Sequence, residues 1–164
     1  MEQLKKLKPH LIVILLFAGI CFTYFSPVLQ GKRLDMPDIK HWKGMSKEVI
    51  DFRDVTGEEA LWTNSMFSGM PAYQISTRSN GNLIQYVAKV LSLGIPRPAN
   101  LLFLYLLGFY LLLLSLKVDY RLSAVGAIAF AFSSYFFIII MAGHMTKAHA
   151  IAYVPMVVAA VLYT

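Results

Sequence analysis

Long uncharged apolar runs constrain the fold of this chain more than any other feature of its sequence. The first, residues 11–29, is just long enough to cross a hydrocarbon core of roughly 30 Å as a helix that rises about 1.5 Å per residue. Residues 99–116 and 122–142 form two more, and residues 150–164 are interpreted as the start of a fourth in a longer protein. Small residues recur at four-residue intervals in the third run, a seam suited to close helix packing: Ser123, Ala127 and Ala131. Because 57% of the chain is hydrophobic and its charges cluster between the runs, the sequence predicts an all-α polytopic membrane protein.

The first run has an alternative interpretation as a secretory signal peptide, since lysines precede it. It is long for such a peptide, and no A-x-A cleavage site follows it. A lipoprotein-type cleavage before Cys21 is disfavoured because Ile20 is too bulky for that pattern. The sequence therefore favours an uncleaved first span, and its single cysteine excludes an intrachain disulfide.

The distribution of lysine and arginine predicts the orientation of the chain. The leader, residues 1–10, and the connection at residues 117–121 are both short and basic, which favours the cytoplasmic side for both. Residues 30–98 and the turn at residues 143–149 are then expected on the external side. The net charge of +6 is accordingly interpreted as an orientation signal, and no nucleic-acid partner is expected.

The external loop, residues 30–98, holds seven of the nine carboxylates and both tryptophans, so chemistry is expected there. Pro37 suits the first position of a helix, and Gly57 suits its end. Apolar residues recur between them at spacings of three and four: Ile39, Trp42, Met45, Val49 and Phe52. This pattern predicts an amphipathic helix, either lying in the membrane interface or packed against the rest of the protein.

Local signals subdivide the loop further. A break is predicted near Gly44, with Ser46 as the cap of the following segment. Thr56 and Glu59 have the spacing of a capping box for one short turn. Residues 83–93 are moderately apolar and predict a second interfacial helix.

Two carboxylates near the start of the loop are candidates for chemistry. Asp35 or Asp38, held at the membrane surface, could take a proton from an attacking hydroxyl or bind a cation. The alternative is structural, because Asp38 directly after Pro37 would complement the positive end of a helix dipole.

The turn at residues 143–149 offers a second group of candidates: His144, Lys147 and His149. Donors of this kind could hold a lipid phosphate on the external face, although an ordinary solvated turn has the same composition. Two histidines five residues apart without a third ligand do not predict a zinc site.

Aromatic residues of the loop could stack on a sugar or anchor the loop at the interface: Trp42, Trp62, Phe67 and Tyr73. The sequence contains no glycine-rich nucleotide loop, no Ser-His-Asp order and no cysteine-based metal motif. A divalent metal is therefore not indicated.

Three segments carry a resemblance to a known family. Residues 61–71, LWTNSMFSGMP, resemble the "LWNP…FGGxP" stretch of bacterial YfhO-type membrane proteins. The segment from Asp38 to Arg53 is similar to the family's upstream "D…Q…R" segment, and residues 143–155 are similar to the turn before its fourth span. Thr63 and Ser65 depart from the pattern, since they flank Asn64 where the family often has Asn-Pro.

The resemblance implies the N-terminal part of a GT-C-like glycosyltransferase with a large external loop between its first and second spans. It implies transfer of a sugar from a polyprenyl-phosphate donor to a cell-envelope acceptor, outside the bacterial cytoplasmic membrane. It makes Asp38 the candidate base and Asp35 the second choice. Substrate-binding roles are implied for Trp62, Asn64, His144, Lys147 and His149. The external turn lacks the carboxylate that several GT-C enzymes carry there.

A non-enzymatic membrane protein, either a transporter subunit or a scaffold, is the alternative. Charged residues inside the spans would favour transport, and the apolar runs contain none.

Overall fold

The computed structural model describes residues 2–76 and 82–163, so residues 77–81 of the predicted loop lie outside the described residues. The chain divides into two compact units. The first unit comprises Met1–Asp35 together with Gln85–Thr164, and the second comprises Met36–Ile84.

The described residues are mostly helical. In chain order the elements are α1 (Glu2–Tyr24), α2 (Ser26–Leu29), α3 (Pro37–Met45), α4 (Lys47–Thr56), β1 (Trp62–Thr63), β2 (Met70–Pro71), α5 (Ile84–Leu91), α6 (Ala99–Ser115), α7 (Tyr120–Ala131), α8 (Ser134–Ala142) and α9 (Met145–Tyr163). A 3₁₀ turn, Ala72–Gln74, follows β2. Strands β1 and β2 pair antiparallel, with Trp62 opposite Pro71. The all-α prediction is therefore correct for the first unit and incomplete for the second.

Two described helices are long and apolar enough to cross a membrane, α1 over Leu7–Tyr24 and α9 over Met145–Tyr163. Helices α7 and α8 meet the same criteria as a pair, which gives up to three candidate spans. Helix α6 is apolar but shorter. The first, third and fourth apolar runs therefore form candidate spans of a membrane protein, whereas the second run, predicted as a span over residues 99–116, forms a shorter apolar helix.

The ends of the first and fourth helices differ from the predicted runs. Helix α1 begins at Glu2 within the leader, and it ends at Tyr24 rather than at residue 29. Pro27 has no amide hydrogen to donate back along the helix, so the chain restarts as the one-turn α2. Helix α9 begins at Met145, so most of the predicted turn at residues 143–149 is helical.

The third apolar run is not one straight helix. Helices α7 and α8 meet at 49° around Phe132 and Ser133. Ser133 has extended backbone angles, which interrupts the hydrogen-bond ladder. Periodicity did not predict this break, because both sides of it are apolar and uncharged over residues 122–142.

Helix α6 forms the core of the first unit. Ten of its residues are buried, and it packs against α1, α7 and α9. The predicted small-residue seam is confirmed as buried, since Ser123, Ala127 and Ala131 have no exposed surface. On another side of α6, a Cβ added at Gly108 would lie 2.9 Å from the Ala152 carbonyl oxygen of α9. Small residues thus let the neighbouring backbones approach closely.

In the second unit, the predicted amphipathic helix is present as two helices that break at Ser46, close to the predicted break near Gly44. Ser46 is the N-cap residue of α4, as predicted, but its hydroxyl does not cap the helix and donates backwards to the Trp42 carbonyl at 2.7 Å. The helix end at Gly57 is confirmed: its φ of +76° is readily adopted only by glycine.

Candidate functional site

Glu48 is the centre of the hydrogen-bond network of the second unit. Its Oε2 accepts hydrogen bonds from the Thr63 hydroxyl at 2.5 Å and from the amides of Asn64 and Ser65 at 2.9 and 3.0 Å. The Ser65 hydroxyl in turn donates to the Met45 carbonyl at 3.1 Å. Helices α3 and α4 thereby fix the conformation of residues 61–71, the segment that carries the family resemblance.

No local pattern predicts this role, because the rest of α4 and residues 57–62 separate Glu48 from Thr63. Each bond to Glu48 favours its ionised form. The Thr63 hydroxyl lowers the pKa of Glu48 below the ordinary value of about 4.5, partial desolvation opposes this, and the two amides lower it further. Because the folded-state pKa is depressed, Glu48 contributes stability that is present above its unfolded pKa and lost as the pH falls through the folded one.

Replacing Glu48→Gln is therefore expected to lower the unfolding midpoint of the second unit at pH 7 and to flatten its pH dependence below about 4.5. Tryptophan fluorescence can follow this unit alone, because Trp42 and Trp62 both lie in it. Glu58→Gln, which changes another exposed carboxylate of the same unit, is the matched control. An acid transition in Glu48→Gln that equals the wild-type one would contradict the role of Glu48.

An ion pair between a buried arginine and a half-exposed glutamate closes the end of α4. Arg53, only 6% exposed, pairs with Glu59, and its Nε has no hydrogen-bond partner among the residues that the structure describes. The predicted capping box is wrong, because no helix follows and Glu59 is engaged by Arg53. The Thr56 hydroxyl donates to the Phe52 carbonyl, and its oxygen accepts a hydrogen bond from the Glu58 amide at 3.2 Å.

Trp62 and Asn64, two of the predicted substrate-binding residues, contact each other. The Trp62 ring is 56% exposed, and its Nε1 donates to the Asn64 side-chain oxygen at 3.2 Å. Gly69 lies under this ring: a Cβ there would come within 2.8 Å of the Trp62 Nε1, and the glycine φ is +119°. The indole is thus held in a fixed orientation with one part open to solvent.

Of the other aromatic candidates of the loop, one is anchored by a hydrogen bond and two are exposed. The Trp42 Nε1 donates to the Ile75 carbonyl at 2.8 Å, which anchors the ring within the second unit. Phe67 and Tyr73 remain largely exposed.

Asp38 lies in the first turn of α3 and is half-buried. It lines an open cleft of about 730 Å³ in the second unit, together with Lys40, His41, Gly44 and Met45. Its place also satisfies the structural alternative, since a carboxylate in the first turn interacts favourably with the helix dipole. Asp35 is exposed and lies in a non-helical stretch that belongs to the first unit.

The three basic candidates lie around the start of α9. His144 is exposed in the turn before the helix, whereas Lys147 and His149 lie within it. The Lys147 Nζ lies 5.3 Å from the centre of the Tyr135 ring, a cation–π contact. The His149 Nδ1 lies 2.8 Å from the Met145 carbonyl and must donate to it. A neutral His149 therefore presents Nε2 as an acceptor, and it can donate to a phosphate only as the imidazolium.

A cavity of about 390 Å³ in the first unit adds residues that the sequence did not single out. Its walls are mostly apolar and include Tyr24, Phe137 and Ile140, and Lys32 and Arg33 also line it. Apolar walls with two cations suit a molecule that has a hydrocarbon chain and an anionic group. The chain around Pro27, where the first helix has ended, helps to form this cavity. A continuous first helix, as the sequence predicted, would not predict the cavity.

Within the described residues, no three histidine, cysteine or carboxylate side chains come close enough to hold a metal ion. No protein-family model, curated protein or solved structure matches the chain. The fold defines a class: a mostly helical protein in which two described helices, and a bent pair of helices as a third candidate, can span a membrane. In sequence, a small polar unit separates the first of these helices from the others.

Proposed function

We propose that the chain is the N-terminal part of a GT-C-like membrane glycosyltransferase. It transfers a sugar from a polyprenyl-phosphate donor to a cell-envelope acceptor on the external face of the bacterial cytoplasmic membrane. Asp38 is the candidate base, with Asp35 as the second choice. The family resemblance of residues 61–71 suggests this class.

The observation that carries the proposal is the cavity lined by apolar side chains together with Lys32 and Arg33. A polyprenyl phosphate combines the two chemistries that these walls accept. Its isoprenoid chain fits apolar walls, and its phosphate fits two cations. His144 and Lys147 are further candidates for the phosphate.

In the proposed reaction, the acceptor hydroxyl oxygen forms a bond to the anomeric carbon of the sugar. The bond between that carbon and the phosphate oxygen breaks, and its electron pair leaves with the polyprenyl phosphate. The hydroxyl proton passes to a carboxylate: Asp38 is the base that the resemblance suggests, and Asp35, which lies in the same unit as Lys32 and Arg33, is the second choice. The cations stabilise the negative charge that grows on the departing phosphate.

The exposed face of Trp62 supports a role in binding sugar. Aromatic faces stack on the apolar faces of sugar rings, and an amide such as that of Asn64 can hydrogen-bond to hydroxyl groups. The bond between these two side chains presents both from one short segment.

The experiment that tests the proposal follows a labelled sugar. Membranes that contain the full-length protein are given a polyprenyl-phosphate-linked radioactive sugar, and label is measured in envelope polymer and in released sugar. We expect transfer that depends on the protein. Equal label in membranes with and without the protein, across a panel of donor sugars, would contradict the proposal.

Lys32→Gln/Arg33→Gln is expected to raise the KM for the polyprenyl-phosphate donor by about tenfold, because charge-assisted hydrogen bonds to the phosphate are lost. Steady-state kinetics at varied donor concentration measure the change. Lys43→Gln/Lys47→Gln removes the same charge from exposed positions of α3 and α4 and should leave KM unchanged. Equal KM values in the two double variants would exclude the cavity as the donor site.

One observation favours a second candidate, a transporter subunit. The 49° bend between α7 and α8 resembles the discontinuous helices that transporters use to bind substrates. Proteoliposome uptake that persists in variants of every loop carboxylate would favour this candidate over the transferase.

A further inference from the structure

A second cavity, of about 260 Å³, lies in the first unit between α5 and the start of α6. Its polar lining comprises Gln85, Lys89, Ser92, Arg97 and Asn100. Two of these side chains are cations, and no carboxylate lines the cavity in the part of the chain that the structure describes. Such a lining selects an anionic group.

Asn100 supplies an independent sign that the cavity takes a ligand. The residue is only 9% exposed, and its Oδ1 has no hydrogen-bond partner among the described residues. A buried amide oxygen without a donor is unfavourable, so a ligand that brings a hydroxyl or amino donor would relieve it. The helix N-terminus itself is not needed for binding, because the amides of Asn100 and Leu101 already donate to the carbonyls of Pro96 and Pro98.

Helix α5 indicates where such a ligand comes from. Its outward residues are apolar and exposed, with Tyr86 at 62% and Val90 at 72%. Its residues Gln85 and Lys89 line the cavity instead. An amphipathic helix whose apolar side faces away from the protein is suited to lie in a membrane interface, at the depth of lipid headgroups.

We propose that this cavity binds the phosphodiester headgroup of a bilayer lipid. Lys89 and Arg97 hold the phosphate, and the Asn100 Oδ1 accepts a hydrogen bond from a hydroxyl or amino group of the headgroup. At about 30 Å³ for each water-sized group, the cavity has room for a phosphate and a short headgroup. This site is separate from the donor cavity and does not depend on the transferase activity.

Native mass spectrometry of the full-length protein in detergent tests the site with three lipid probes. Phosphatidylglycerol carries a negative phosphodiester and hydroxyl donors, phosphatidylmethanol carries the same charge without a donor, and phosphatidylcholine is neutral overall and has no donor. We expect retention to fall in that order. The difference between phosphatidylglycerol and phosphatidylcholine should be about tenfold, as charge-assisted hydrogen bonding predicts.

Two variants separate the two interactions. Lys89→Gln/Arg97→Gln should remove the preference for anionic lipids, and Asn100→Ala should remove only the preference for phosphatidylglycerol over phosphatidylmethanol. Lys43→Gln/Lys47→Gln, with the same change of charge, should keep both preferences. Equal retention of all three lipids, or preferences that survive in the Lys89/Arg97 variant, would overturn the site.

A soluble competitor distinguishes a lipid from a free phosphate compound. sn-Glycerol 3-phosphate at millimolar concentration should leave phosphatidylglycerol bound, because it cannot use the interface beside α5. Full displacement would overturn the assignment to a bilayer lipid. Absence of sugar transfer with normal lipid retention would count against the proposed transferase alone. Absence of lipid retention with normal sugar transfer would count against the headgroup site alone.

Discussion

Asp38→Asn in the full-length protein is expected to lower sugar transfer by about 10²- to 10⁴-fold, the usual contribution of a general base. The amide keeps the size of the side chain but cannot accept a proton from the acceptor hydroxyl. Because Asp38 lines an open cleft, the substitution should leave neighbouring packing intact. Initial rates with a labelled polyprenyl-phosphate sugar, normalised to the amount of protein in the membrane, measure the effect.

A matched substitution separates catalysis from the structural role of Asp38. Asp51→Asn removes another carboxylate from the same unit, one that pairs with Lys47 at the surface. It should cost only the few tenths of a kcal/mol typical of such pairs and leave transfer unchanged. If Asp38 acts only on the helix dipole, Asp38→Asn lowers stability by about 0.3–1 kcal/mol and spares activity. That outcome would remove Asp38 from the mechanism and move the test to Asp35.

Gly108→Ala is expected to destabilise the first unit by about 1–3 kcal/mol, the range for overpacking a close interior contact. The added methyl would lie 2.9 Å from the Ala152 carbonyl oxygen, which is backbone and cannot rotate away. The helices α6 and α9 would therefore have to separate. The thermal midpoint of the protein in detergent, followed by circular dichroism, measures the loss.

Gly19→Ala is the control for this substitution. Gly19 also lies in an apolar helix, but a Cβ there meets nothing within 4 Å. The change should therefore be neutral or stabilising, because alanine favours helix by about 1 kcal/mol over glycine. An equal rise in midpoint for both variants would show that α6 and α9 do not pack closely at Gly108.

Features encoded by local patterns could be predicted from the sequence. The apolar runs indicated the helices that can span a membrane, and Gly57 marked the end of α4 because its backbone needs a positive φ. Residues 83–93 contain α5, whose apolar and polar sides are separated at helical spacing. The seam through Ala127 is buried because small residues allow close helix contact.

Features that depend on residues distant in sequence, or on competition between hydrogen-bond partners, could not be predicted. Ser46 had the composition of a cap, but its hydroxyl bonds back to the preceding helix. Glu59 had the spacing of a capping box, but Arg53 takes its carboxylate. The break at Ser133 lies inside an uncharged run that is apolar on both sides, so hydropathy alone does not show where the helix is interrupted.

Some residues of the candidate site were proposed from the sequence, and others were not. Asp38 and Trp62 were proposed from residue type and resemblance, and their roles stay predictions; the structure places Asp38 in a cleft and leaves Trp62 exposed. Glu48 was missed because its three donors lie on another segment. Lys32 and Arg33 were missed because only the end of the helix near Pro27 gives them a cavity.

The side of the membrane on which the second unit lies decides whether an external transferase is possible. Single cysteines at Glu58 and Asp119, with Cys21 replaced, can be labelled in intact cells by a thiol reagent that does not cross the membrane. Both positions are exposed, so labelling reports the compartment. We expect Glu58→Cys to react in intact cells and Asp119→Cys to react only after permeabilisation. Reaction of both positions from the same side would contradict the external location of the site and the proposed reaction with it.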